Sequence, residues 1–166
     1  MCGITGHWGY NGRDIGEKQF SRFANSLAHR GPDGSGIKHF GDERLWLGHR
    51  RLAIIDTSAG GAQPMTDAGE RYWITYNGEI YNYLELRETL QQLGWRFVSD
   101  SDTEVIIAAY ALWGASCQFR FNGMWAFAIW DAHKKQLFLS RDRFGIKPAV
   151  AFEDGLKRLN AFLTKA

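Results

Sequence analysis

The sequence has few of the residues that define disulfide-rich and zinc-binding proteins. It contains two cysteines in 166 residues. Cys2 and Cys117 lie far apart and belong to no CxxC or histidine-rich ligand set. This spacing argues against a disulfide framework and a zinc site. We therefore expect no metal site, and a reducing, cytoplasmic location.

Long apolar runs and charge of a single sign are also missing. The longest apolar stretch, GMWAFAIW at 123–130, is far shorter than the roughly 20 residues of a membrane helix. The first residues lack the basic and apolar segments of a signal peptide. The net charge is +2, with both signs mixed along the chain, so no basic stripe indicates nucleic acid. We predict a single domain over residues 1–166 with neither a membrane nor a nucleic-acid partner.

Apolar spacing and turn residues predict interleaved helices and strands. Helices are predicted over 16–28, after Asn82 and after Ser101, because Glu85 and Glu104 each follow their cap by three residues. Strands are predicted over 44–55, 71–76, 95–98, 124–131, 136–140 and 149–152, with a tight hairpin turn between 131 and 136. Clustered hairpins with helices between them predict an α+β fold with two sheets and helical outer layers.

The opening MCGI raises the question of why a thiol lies where chains are usually frayed. Removal of Met1, which the small second residue permits, would give Cys2 a thiol and a free α-amine, a nucleophile with its own base. The ordinary pKa of an α-amine is about 7.7–8.0 and that of a thiol about 8.5, so proton transfer costs at most about 1 kcal/mol. On its own, "MC" favours an incidental small residue behind the start codon.

The segment YNGEIYN at 76–82 follows an apolar strand and precedes a helix. The Asn77 side-chain amide and the Gly78 backbone N–H can point in one direction there, as the donors of an oxyanion hole do. Each such donor contributes about 3–4 kcal/mol in a transition state. Asn-Gly is also the commonest hairpin-turn dipeptide. Because Asn82 is expected to cap the next helix, the earlier Asn-Gly pair exceeds what a turn requires.

The segment GHRRLAIID at 48–56 places Arg50 and Arg51 side by side in an apolar strand. Alternation sends them to opposite faces, so one points inward. A buried guanidinium needs an anion, which is either an internal acid or an acidic ligand. Asp102 begins a helix that Ser101 already caps; it serves as an ordinary dipole partner or holds a ligand ammonium. Cys117, His49 and the tryptophans are interpreted as structural.

Seven motifs together resemble the class II glutamine amidotransferase domain of asparagine synthetases. They occur in order from residue 2 to about residue 148. The motifs are MCGI at 1–4, HRGPD at 29–33, GHRRL at 48–52, YNGEIYN at 76–82, SDTE at 101–104, GMWAFA at 123–128 and RDRFGIKP at 141–148. After Pro148 the chain reads AVAFEDGLKRLNAFLTKA, where the family has paired tyrosines and an ASEIKAL-like stretch.

The resemblance implies a four-layer αββα sandwich of the N-terminal-nucleophile hydrolase type. It makes Cys2 the catalytic nucleophile, with its freed amine as base, and Asn77 and Gly78 the oxyanion hole. Glutamine would be bound by Arg51, Leu52, Ile54, Glu79 and Asp102. In that set Arg51 takes the carboxylate, Asp102 takes the α-amine, and Leu52 and Ile54 act through their backbone.

The implied reaction converts glutamine to glutamate and ammonia through a γ-glutamyl thioester, with no cofactor in this domain. The family passes the ammonia to a synthetase domain that uses ATP and Mg. No SGGxDS stretch for pyrophosphate binding occurs in this sequence, so that part would be another chain or further sequence. The expected partners are L-glutamine and the synthetase part, and a homodimer is compatible with the resemblance.

Two other functions stay open at this point. One is a non-catalytic remnant that keeps the fold as an interaction or regulatory module. The other is an amidotransferase that feeds a sugar or phosphoribosyl acceptor. If the protein is an active amidotransferase, Arg51 together with Asp102 favours a free amino acid as the nitrogen donor, whichever acceptor receives the ammonia.

Overall fold

A computed structural model describes residues 1–9 and 12–149. In chain order its strands and α-helices are β1 Gly3–Trp8, α1 Glu17–Ser26, β2 Gly34–Phe40, β3 Leu45–Arg51, β4 Met65–Thr66, β5 Tyr72–Ile80, α2 Tyr83–Gln92, α3 Asp102–Trp113, β6 Gly123–Asp131 and β7 Gln136–Arg141. Short 3₁₀ turns cover Ala28–Arg30, Ala59–Gly61 and Gly114–Arg120. Across these two ranges, no helix combines the length and apolar character needed to cross a bilayer.

The strands form two antiparallel sheets that lie face to face. The first has the order β1-β3-β2 and the second the order β4-β5-β6-β7. Strands β1 and β3 contact β5, helix α1 covers β1 and β3, and helix α3 covers β4 and β5 with α2 beside it. The layers therefore run helix, sheet, sheet, helices, which confirms the predicted αββα sandwich.

The larger apolar core lies between the four-stranded sheet and helices α2 and α3. Val105, Ile106 and Ile107 are all 0% exposed, because α3 is apolar around its circumference here and is buried on every side from Asp102 to Tyr110. A smaller cluster fills the space between the two sheets through Leu45, Leu47, Ala128 and Trp130. The two cores fix the spacing of the layers, and with it the gap at the sheet ends where the predicted site residues lie.

Strand β5 is longer than the predicted strand at 71–76 and contains the Asn77-Gly78 pair. Asn77 pairs with Ala126 and Gly78 with Trp125 of β6, so Asn-Gly makes no turn here. A Cβ at Gly78 would lie 2.3 Å from the Met124 carbonyl oxygen, a distance that no side chain tolerates. Glycine at 78 is therefore required by close strand approach.

The predicted strand at 44–55 ends at Arg51. Beyond it the backbone N–H of Ala53 donates to the Asp33 carboxylate at 2.9 Å instead of to a strand. Strands β1 and β2 are not predicted from the sequence. Their sequences, GITGHW and GSGIKHF, contain glycines and lack apolar alternation, yet both strands pair with β3 along their whole length.

The predicted strand at 95–98 is wrong, because its backbone bonds to the start of α3. Gly94, at φ +95°, ends α2 in a Schellman motif, with the Trp95 N–H donating to the Leu90 carbonyl at 3.0 Å. The Glu104 carboxylate then accepts from the N–H of Val98 at 3.0 Å and from the N–H of Ser99 at 2.7 Å. These donors are therefore satisfied without a neighbouring strand.

Of the two predicted helix caps, the structure contains the one at Ser101 and not the one at Asn82. Ser101 accepts from the Thr103 N–H at 3.1 Å and caps α3 as predicted, although Glu104 bonds to Ser99 and Val98 rather than back to the cap. Asn82 makes no side-chain cap bond. Its amide instead bridges to the Arg120 carbonyl and the Asn122 N–H, which ties the start of α2 to the segment before β6.

The predictions of the first helix and of the last hairpin agree with the structure. The helix predicted at 16–28 is α1, with Phe20 and Ala24 buried, and the hairpin between β6 and β7 is confirmed by their pairing. The predicted strand at 149–152 falls almost wholly outside the described residues, as does part of the predicted 1–166 domain.

We expect Glu104→Gln to lower the free energy of unfolding by about 1–3 kcal/mol, because an NH₂ group would face backbone N–H donors in a buried site. Glu88→Gln on the exposed side of α2 is the control and should change stability by less than about 0.5 kcal/mol. Urea denaturation followed by circular dichroism measures both. Equal stability of the two variants would contradict this account of segment 95–104.

Candidate active site

Cys2 is held in place, although it is the second residue of the chain. The Leu52 N–H lies 3.3 Å from its sulfur and the Leu52 carbonyl oxygen lies 3.6 Å from it. The Arg30 Nε donates to the Cys2 carbonyl at 3.3 Å, and β1 begins at the next residue with Gly3 opposite Arg50. The thiol is thus fixed at the start of β1 against the end of β3.

The alternation of β5 directs Asn77 and Glu79 toward the other sheet. Thr75, on the same face, donates to the Gly48 carbonyl of β3 at 3.0 Å, so this face of β5 looks into the gap between the sheets. Asn77 is 4% exposed, and no hydrogen bond within residues 1–9 and 12–149 uses its side-chain amide. That amide is available to a ligand in the gap.

The two arginines point to opposite sides, as predicted. Arg50 bonds to the Ala24 carbonyl and the Asn25 side chain of α1. Arg51 bonds to the backbone carbonyls of Ser58 and Asp56 on the cavity side, and no ion pair among the described residues includes it. Of the two sources of an anion that the sequence left open, an internal acid forms no ion pair with Arg51 in the described ranges. The Asp56 carboxylate, whose pKa is lowered by its hydrogen bond to Ser58 and also by the Arg51 charge, lies beyond ion-pair distance.

Asp102 lies at the first turn of α3 and is 5% exposed. Its Oδ2 accepts from the Tyr76 hydroxyl at 2.8 Å and from the Ile80 N–H at 3.1 Å. Burial raises the pKa of this carboxyl and these hydrogen bonds oppose the rise. The carboxyl is therefore held by β5 and not by the cap of its own helix.

All eight predicted site residues line one cavity of about 160 Å³. This volume is below the roughly 300–1,000 Å³ of pockets for drug-sized ligands and suits a ligand of amino-acid size. Ile54 is 66% exposed and lies at the rim. The eight are Cys2, Arg51, Leu52, Ile54, Asn77, Gly78, Glu79 and Asp102.

The cavity also contains residues that the sequence analysis did not assign. Tyr76 holds Asp102, and Gln63 accepts from the Tyr76 N–H at 2.7 Å while donating to the Thr103 hydroxyl at 3.2 Å. Lys147 and Met1 form another part of the wall. Tyr76 and Lys147 belong to the motifs YNGEIYN and RDRFGIKP, so the sequence marks the segments that contain them. Only the folded structure shows which residues of each motif reach the cavity.

His49 and Cys117 lie outside this wall. His49 is 1% exposed, with its Nδ1 3.3 Å from the Thr75 hydroxyl, and burial together with the Arg51 charge lowers its pKa to about 4. Burial raises the pKa of the Cys117 thiol to about 12. At neutral pH both side chains are uncharged and serve the packing between layers.

The layered fold is an αββα sandwich of the N-terminal-nucleophile hydrolase type. The chain belongs to the glutamine amidotransferase domain family, whose model matches residues 1–160. It is 42% identical over 158 residues to asparagine synthetase [glutamine-hydrolyzing] 3 of Bacillus subtilis, covering 93% of this chain and 25% of that protein.

A second Bacillus subtilis relative, asparagine synthetase [glutamine-hydrolyzing] 1, is 43% identical over 153 residues, which cover 89% of this chain and 23% of the relative. The chain therefore spans about a quarter of the length of these curated relatives. Among solved structures, the glutamine phosphoribosylpyrophosphate amidotransferase of B. subtilis superposes with a TM-score of 0.71 at 22% identity, covering 87% of this chain and 38% of that one. At that identity the similarity concerns the fold alone.

The two thiols should differ sharply in reactivity. We expect iodoacetamide near neutral pH to modify Cys2, which is partly exposed, and to spare Cys117, because a buried thiol with a raised pKa forms little thiolate. Intact mass should show one added group in folded protein, two in urea and none in folded Cys2→Ala. Modification of Cys117 in the folded protein would contradict the assignment.

Proposed function

We propose that the chain hydrolyses glutamine to glutamate and ammonia at Cys2. The observation that supports the proposal most directly is that four separate segments of the chain each bring one functional side chain to a single cavity of amino-acid size. These side chains are Cys2, Arg51, Asn77 and Asp102. Structural packing alone does not require that a thiol, a buried carboxylate, a guanidinium with no ion pair and an amide with no side-chain hydrogen bond among the described residues meet.

The charges of the cavity support a free amino acid as the ligand. Arg51 offers its guanidinium without a carboxylate partner among the described residues, and Asp102 offers a carboxylate held by Tyr76. A carboxylate on Arg51 and an ammonium on Asp102 would fix the two ends of glutamine. Glu79 and the backbone of Leu52 and Ile54 are proposed to complete the binding site.

The proposed chemistry requires the α-amine of Cys2, and so requires removal of Met1. The sulfur attacks the side-chain carbonyl of glutamine while its proton passes to the amine, and Asn77 and Gly78 donate to the resulting oxyanion. The carbon–nitrogen bond breaks, the amine returns the proton to the leaving ammonia, and a thioester remains. Water, deprotonated by the same amine, then breaks the carbon–sulfur bond and releases glutamate.

We further propose that the ammonia passes to a synthetase part that uses ATP and Mg, and that the glutaminase step itself uses no cofactor. The 42% identity to an asparagine synthetase supports a synthetase part as the ammonia acceptor. A phosphoribosyl acceptor is supported only by similarity of fold. A cytoplasmic location fits the two free cysteines of the described chain. A homodimer also remains a proposal.

We expect Asn77→Ala to lower kcat by roughly 10²–10³-fold, since it removes one donor to the oxyanion. The change should leave KM for glutamine nearly constant, because the donor acts mainly in the transition state. Ammonia release from glutamine by the processed protein measures both constants. A kinetically silent Asn77→Ala would refute the oxyanion assignment.

Cys2→Ala should abolish ammonia release while leaving the melting temperature close to that of the wild type. Intact mass must first establish that Met1 is absent from the protein assayed. If the processed wild-type protein with an accessible Cys2 releases no ammonia, the non-catalytic interaction module becomes the better description.

As the pH falls, glutamine binding should begin to weaken at a higher pH than it would if Asp102 had the pKa of an ordinary aspartate. Burial raises the pKa of Asp102, and only its charged form binds an ammonium, so KM should rise as pH falls through that raised pKa. Asp102→Asn should have a high KM that no longer changes over this range, and Arg51→Ala should raise KM while keeping the pH dependence. A wild-type KM that stays flat through the acidic range would contradict this role.

A further inference from the structure

Lys147 is a buried lysine whose side chain reaches the same cavity as Cys2. It follows β7 within segment 142–147, is 3% exposed and lines the cavity wall. A lysine is almost never so fully buried unless a partner compensates its charge.

Segment 142–147 is held by backbone contacts that do not involve the Lys147 side chain. The Asp142 carboxylate accepts from the N–H groups of Phe144, Ile146 and Lys147. The Arg141 guanidinium donates to the Lys147 carbonyl at 2.7 Å. These contacts place residue 147 at the cavity wall without using its side chain. A substitution of Lys147 therefore leaves the contacts that hold segment 142–147 intact.

No carboxylate in the described part of the chain lies within salt-bridge distance of the Lys147 ammonium. Its Nζ lies 2.6 Å from the Met1 sulfur, and a thioether is a weak acceptor. No salt bridge among residues 1–9 and 12–149 includes this lysine. Removal of Met1, on which the proposed function rests, would take away that contact and leave the ammonium in the wall of the cavity that Cys2 also lines.

Two other charged groups of the cavity, Arg51 and Asp102, have hydrogen-bond partners in the structure and are proposed above to bind the two ends of glutamine. Arg51 is bonded at Ser58 and Asp56, and the Asp102 carboxylate is bonded to Tyr76. Arg30 donates to the Cys2 carbonyl, on the backbone side of the residue. Glu79 and Asp56 complete the set of charged groups in the wall. Lys147 is the cation that contacts Met1, the residue bonded to Cys2.

We propose that Lys147 is a charge-stabilising residue of the glutaminase site. Its positive charge favours the state in which the amine and thiol of Cys2 share one proton over the state in which they hold two. The sharing state is the one competent for attack, because the sulfur proton can then pass to the amine. A fixed cation near a titrating group acts in this direction.

The test measures the rate of Cys2 alkylation by iodoacetamide against pH in protein lacking Met1, with intact mass as the readout. It compares Lys147→Met, Lys147→Arg and the control Arg143→Met, which removes an exposed charge from the same loop. We expect the midpoint of the profile to move up by about one pH unit in Lys147→Met, to stay near the wild type in Lys147→Arg and to be unchanged in Arg143→Met. The acidic limb of kcat/KM for glutamine should move in parallel.

A wild-type midpoint in Lys147→Met would overturn the proposal, as would a shift of equal size in Arg143→Met. If Lys147→Met is unfolded at the assay temperature, Lys147→Gln removes the same charge and gives the same readout. The alkylation profile needs no turnover, so it tests Lys147 even if the wild type fails to hydrolyse glutamine. That failure would refute the proposed function and leave the Lys147 result standing.

Discussion

The contact between the Cys2 sulfur and the Leu52 backbone, at 3.3 Å, joins the start of the chain to the end of β3. It turns a terminal residue, normally frayed, into one with a defined position. The contact exists because β1 pairs with β3 from Gly3 onward and because β3 ends at Arg51. The same strand end thus presents the thiol and the arginine to one cavity.

Strand β5 supplies the opposite wall, and its two faces have separate tasks. One face points Asn77 and Glu79 into the gap between the sheets. The other carries Tyr76, whose hydroxyl reaches across to Asp102 on α3. A strand of nine residues therefore connects the proposed oxyanion donors to the proposed ammonium partner through one continuous backbone, which keeps their spacing rigid.

Local patterns predicted the long periodic elements and missed the short or glycine-bearing ones. Helix α3 and strand β6 are strongly apolar, so their type was evident from sequence. Strands β1 and β2 are held by pairing to β3 more than by their own propensity. Segment 95–98 has the composition of a strand, but Glu104 takes its backbone donors. The Asn77-Gly78 pair reads as a turn locally, yet β6 keeps it in a strand.

The sequence by itself determined which chemical groups are present: an amino-terminal thiol, paired arginines, an Asn-Gly pair and an acidic helix start. It also determined the family, because seven motifs in order are specific where each alone is weak. Only the tertiary structure decided which of these groups meet, that Arg51 and not Arg50 faces the cavity, and that Lys147 joins them. The reason is that the cavity wall is assembled from segments far apart in the chain, whose distances depend on sheet pairing and layer packing that no local pattern encodes.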